Sequence, residues 1–138
     1  MRHRISAASG LATIFAAASA CATNMEPRVD SGVSATLAKY EETGETRACL
    51  PLSNVSSIRA ATEKKLLVRT GINEYWLNET SARCGGVTRA NNRIQYETSQ
   101  NLLCQNQIIT IVDNTTNITG GSCGLGKFKQ LKLKEAPA

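Results

Sequence analysis

Histidine is nearly missing from this chain. Among 138 residues there is one, His3, and it falls in a segment expected to be removed on export. That shortage excludes Ser-His-Asp and Cys-His catalysis and the usual histidine-based zinc sites. No two cysteines stand in a C-x-x-C pair, so neither a zinc ribbon nor a thioredoxin-type redox motif is offered. Aromatics make up 4% of the chain, and beyond residue 20 only Tyr40, Tyr75, Trp76, Tyr96 and Phe128 remain. Without a basic stripe interleaved with aromatics, nothing marks a nucleic-acid surface. Internal repeats are absent as well. The uncharged run from Ile5 to Ala20 is too short and too weakly apolar for a membrane-spanning helix, which wants about 20 strongly apolar residues.

That run does fit another pattern. A positive start, Met1-Arg2-His3-Arg4, an apolar middle with Leu11, Ile14 and Phe15, and a small-residue exit are the anatomy of a secretory signal peptide over residues 1–20. Its exit, "ASAC", resembles a bacterial lipobox, in which the cysteine receives a diacylglyceryl group and becomes the new N-terminus. Ala18 departs from that pattern, whose first position is usually Leu. Cysteine parity points the same way. A free Cys21 in an oxidising compartment would be an odd leftover, whereas lipidation leaves Cys49, Cys84, Cys104 and Cys123 as an even set. The expected address is therefore the periplasmic side of an outer membrane, since Ala22 rather than an Asp follows Cys21. A soluble periplasmic or secreted protein is the alternative.

Loss of Arg2 and Arg4 with no acid lowers the formal charge from +5 to +3, only mildly basic. Residues 21–46 are polar, with one short helix expected over Ser34 to Glu42, and read as a lipidated N-terminus and flexible tether. A β domain is expected over 47–133, with a tail over 134–138, and the lysines at 127, 129, 132 and 134 read as a solvated, frayed C-terminal stretch. Fewer than 90 residues bury a limited core, which small secreted domains commonly supplement with disulfides.

Strand signals dominate that domain. "SSIRAA" and "KLLVRT" flank a hairpin turn at Thr62-Glu63-Lys64; "NEYWLN" follows, with Tyr75 and Leu77 on one face and Glu74 and Trp76 on the other. "RIQYETS" alternates, "QIITIVD" reads as the most buried strand, and "LGKFKQL" closes the series. The expectation is an all-β fold, a small antiparallel sandwich or barrel of five or six strands stapled by two disulfides. Three connectivities are open to four cysteines. Cys49 with Cys123, tying the domain's ends, and Cys84 with Cys104 are the expected pairs.

Few residues offer chemistry. Glu74, beside Tyr75 and Trp76, would have a raised pKa if its carboxyl lay against the indole, though a solvent-facing strand residue is the plainer expectation. Asp113, ending the "QIITIVD" strand, is a ligand for substrate or cation in one reading and a turn-capping residue in the plainer one. Glu74, Tyr75, Trp76 and Asp113 are the candidate binding surface. No cofactor and no metal are expected. Asn54, Asn78, Asn114 and Asn117 each begin an N-x-S/T triplet, read here as polar loop positions because the lipobox-like exit argues for a bacterial source.

The segments "RACLPLSNV", "KLLVRTG", "YWLNETSARCGG", "YETSQNLLCQNQIITIVD" and "GGSCGLGKF" resemble an uncharacterised family of small exported bacterial proteins, domain-of-unknown-function family 6491. The likeness covers about Arg47 to Phe128 and includes the order and spacing of all four cysteines. It implies an envelope protein whose relatives often carry a lipobox. An acid often stands three positions after the third cysteine in that pattern; here the position is Gln107. The resemblance carries no activity and no catalytic residues. The reading that results is a non-catalytic envelope lipoprotein, held to the membrane by its anchor and binding an envelope protein, peptide or glycan. A carboxylate-based envelope enzyme and an inhibitor of an external hydrolase are the alternatives.

Overall fold

Asp30 sets the start of the first helix. In the computed structural model, which describes residues 29–137, its Oδ1 accepts hydrogen bonds from the Gly32 and Val33 N–H groups and caps helix α1, Ser31–Lys39. Val33 and Leu37, one helical turn apart, face the sheet beneath, and the helix ends where Tyr40 turns extended. Ten antiparallel strands follow: β1 (Tyr40–Arg47), β2 (Cys49–Pro51), β3 (Ser57–Thr62), β4 (Lys65–Gly71), β5 (Glu74–Glu79), β6 (Asn92–Tyr96), β7 (Leu102–Cys104), β8 (Ile108–Asp113), β9 (Thr119–Gly124) and β10 (Phe128–Leu133). They form a five-stranded sheet in the order β1-β10-β5-β4-β3, a three-stranded sheet β6-β8-β9 and a two-stranded ribbon β2-β7. The architecture is all-β and sandwich-like, with no closed barrel among the described residues.

Strand alternation sorts the core into two layers. Leu66, Val68, Trp76 and Phe128 face inward and meet Ile109 and Ile111 of β8 with Leu50 and Leu103 of the ribbon. Leu67, Leu77 and Leu131 point the other way and are covered by Val33 of α1. Beyond the helix the same outer face turns polar. Lys129 there reaches Glu79 at 2.8 Å and Glu42 at 3.5 Å. Because the five-stranded sheet is buried on both faces, β4 and β5 each carry three consecutive buried residues. They are buried more continuously than β8, the strand expected to be deepest, whose Ile108 is exposed.

Both disulfides form, with partners other than those expected. Cys49 and Cys104 are register partners across β2 and β7, their Cα atoms 4.0 Å apart. Cys84, in the loop before β6, joins Cys123 of β9, both buried. The domain's ends are tied as anticipated, but by the β1–β10 ladder rather than by sulfur. Beside the buried bond two backbones touch: a Cβ on Gly121 would fall 2.9 Å from the Gly85 carbonyl oxygen. Only glycine fits that crossing.

The tether boundary also moves. Residues 31–46, read as part of a flexible tether, belong to α1 and β1, and β1 pairs along β10. Their ordering has a cause outside the segment, since Tyr40 and Val33 complete an apolar layer that the rest of the chain leaves open. The helix begins three residues earlier than expected, at its Asp30 cap. Cys21 and residues 1–20 lie outside the described residues. Lys129 and Lys132 sit within β10 in ion pairs rather than in a frayed tail.

Candidate functional site

Glu74, Tyr75 and Trp76 open β5 after a tight turn whose Asn73 adopts φ 62°. Trp76 is only 5% exposed. Its Nε1–H donates to Thr70 Oγ1 at 3.2 Å, and the Arg47 guanidinium lies 4.9 Å from the ring centroid, a cation–π contact. Tyr75 lies on the opposite face, edge-on to Tyr40 with ring centroids 5.0 Å apart. The two aromatics therefore do not form one exposed platform. With Arg47, Asn54 and Gln130, these three residues line a cleft of about 260 Å³.

Asp113 is not in that cleft. It ends β8 and caps the following turn, accepting from the Thr115 N–H at 2.8 Å and the Thr116 N–H at 2.9 Å. The Thr116 N–H, then that of Thr115, hold its carboxyl below the usual aspartate range. Arg93 of β6 donates to Asn114 Oδ1 and Asn117 Oδ1 within the same turn. Asp113 thus does what an Asp in a turn ordinarily does.

A larger concavity escaped the sequence reading. A groove of about 470 Å³ runs between β3 and β6, roofed at one end by the loop preceding β6. Its floor is apolar and half-buried, built from Val55, Ile58, Val87, Ile94 and Tyr96. Its rim is basic: Arg59, Arg89 and Arg93 stand against one acid, Asp30. Asp30 is already engaged by Arg59. Burial raises the Asp30 pKa, but the N–H of Val33, the Arg59 side chain and the N–H of Gly32 outweigh it and leave the group below its ordinary value. Arg89 and Arg93 make no ion pair among the described residues, although Arg89 feels the charge of Glu63, which is bound to Arg83.

The groove is also where two sheets end. Among the described residues, β3 is hydrogen-bonded only to β4, and β6 only to β8. "SSIRAA" and "RIQYETS" show the apolar alternation of its floor, but which strands lie at an edge follows from topology, which no local pattern carries. Among the described residues, no three His, Cys, Asp or Glu side chains are grouped to hold a metal ion, and no helix is long and apolar enough to cross a membrane. The two disulfides mark an oxidising, extracytoplasmic compartment. Fold and site together define a disulfide-bonded antiparallel β sandwich with one open flank. Comparisons with family models, curated proteins and solved structures find no match.

Proposed function

We propose that this protein is a non-catalytic envelope lipoprotein, of the family its cysteine contexts resemble, whose β domain is a binding module. In this reading residues 1–20 are a signal peptide, and Cys21 carries the lipid that holds the domain to the periplasmic side of the outer membrane. The observation that carries it is the groove between two unpaired sheet edges, set on a frame fixed by two disulfides. Concave, largely preformed surfaces with an apolar floor and a few polar rim groups are what binding sites commonly look like. A carboxylate enzyme is less well supported, because Glu74 and Asp113 belong to different sheets and do not share a cleft.

Two measurements test the two halves of the proposal. A non-reducing intact mass of the protein from native membranes should carry a diacylglyceryl increment on Cys21 with no free thiol. An unmodified chain sinks the anchor. A photo-crosslinking residue in place of Ala90, exposed on the groove rim, should give a reproducible adduct in living cells. Repeated absence of any adduct, with the variant folded and correctly located, sinks the binding module.

A further inference from the structure

We propose that the groove takes an extended acidic polypeptide segment, which adds as a further strand along the free edge of β6. This deepens the binding-module reading and rests on it. Three observations carry it. First, β6 is a regular edge: its pairing with β8 runs from Asn92 opposite Asp113 to Tyr96 opposite Ile109 without a shift. No other backbone partner is found for Arg93 to Tyr96 among the described residues. An edge of unpaired N–H and C=O groups is a template for one more strand, and main-chain bonds of that kind supply affinity in β-augmentation.

Second, the floor has strand periodicity. Ile94 and Tyr96 on one wall and Ile58 on the other lie half-buried, so every second side chain of an incoming strand meets apolar surface. The six residues Val55 to Ala60 along the opposite wall match a guest of about five or six residues. Third, charge selects the guest. Arg93 is held only by the neutral amides of Asn114 and Asn117, and Arg89 makes no ion pair, so the β6 wall presents guanidinium groups still able to take carboxylates. Arg59, on the other wall, is already occupied by Asp30. A guest alternating acidic and apolar residues satisfies the edge, the floor and the rim together.

The test uses the full mature chain in detergent and a fluorescent nonapeptide alternating glutamate and valine, titrated by anisotropy. Two control peptides accompany it, one with lysine for glutamate and one N-methylated on alternate amides so that it cannot pair. The glutamate peptide should bind at least about tenfold tighter than either control. It should also slow amide exchange at residues 92–96. Arg93→Glu should weaken it by about fivefold or more with an unchanged melting temperature, and Arg93→Lys should retain most of the binding. Equal binding of the lysine peptide, or protection away from residues 92–96, overturns the proposal. So does protection, in the ligand-free protein, of those amides among residues 92–96 that face away from β8, which would assign the groove to the chain's own N-terminal segment. If the peptides fail while the Ala90 crosslinker captures a glycan in cells, the acidic-peptide assignment falls and the binding module stands. If both fail, both fall.

Discussion

Among the described residues β1 and β6 are both outermost strands with a single antiparallel neighbour, yet their free edges are built in opposite ways. β1 carries Glu41, Glu42 and Glu45, seven of its eight residues are exposed, and its register breaks between Glu42 and Thr46 around Gly44 at φ 90°. Charges and a bulge are how natural sheets keep an edge from recruiting another strand. β6 has no bulge in its ladder and a single charged residue, Arg93, drawn to the amides of Asn114 and Asn117, and half-buried residues alternate along it with exposed ones. One edge is closed to pairing by design, and the other is left competent above a groove.

The sharpest way to break that difference is through sulfur. Loop entropy alone ranks the two disulfides almost equally, since their separations of 39 and 55 residues each correspond to about 4 kcal/mol. Burial decides between them. Cys84 and Cys123 are 0% and 4% exposed, whereas Cys49 and Cys104 are half-buried. Replacing both Cys84 and Cys123 by Ala should therefore cost about 4 kcal/mol or more in urea unfolding, exceeding the loss from the Cys49→Ala, Cys104→Ala pair. It should also speed amide exchange in β6, which follows the Cys84 loop, while β1 keeps its native exchange. Equal losses from the two pairs would show that burial adds nothing here.

A smaller effect is expected at the closed edge. Space around Gly44 is open, so Gly44→Ala meets no clash and tests backbone conformation alone. A cost of about 1–2 kcal/mol follows from forcing a Cβ into positive φ, read as a lowered melting temperature. No cost would mean the bulge had relaxed into regular pairing, and self-association in sedimentation would then show what it prevents.

Asp30→Ala should cost about 1 kcal/mol through the lost helix cap. It should also free Arg59 and tighten binding of the glutamate peptide a few-fold, making the open edge more basic. Weaker binding would mean that Asp30 orders the groove rather than masking its charge. The smallest effect is acid sensitivity. Asp113 has a folded pKa below its unfolded value of about 3.9. Its contribution is present above that value and is lost as pH falls through the folded pKa. Stability measured down to pH 2 should decline less steeply in Asp113→Asn than in the native chain.

Much of this architecture is legible in the residues. The Thr62 turn closes the β3–β4 hairpin with Thr62 Oγ1 accepting from the Lys64 and Lys65 N–H groups, and the opposed faces of Tyr75 and Trp76 follow from alternation alone. Partners distant in sequence were not legible. Cys49 meets Cys104 because β2 pairs with β7, a fact of register that cysteine spacing does not encode. Residues 31–46 look polar enough for a linker because most of β1 faces water, and only Val33, Leu37 and Tyr40 betray the layer they complete. The groove was hidden for the same reason, since an edge is defined by what fails to pair with it.

The position of β10, inside the sheet and next to β1, sets an order of events for the molecule's assembly. β10 lies between β1 and β5, so strands separated by most of the domain's length are joined only through the last strand of the described chain. A chain emerging from a channel N-terminus first can close the β3–β4–β5 meander early. It cannot seat β1 or complete the apolar layer under α1 until residues 128–133 have followed. Until then its cysteines are exposed to whatever oxidises them, and Cys84 emerges after Cys49 and ahead of both Cys104, the native partner of Cys49, and Cys123, its own. A Cys49–Cys84 bond formed in that interval has to be exchanged before either native pair can close.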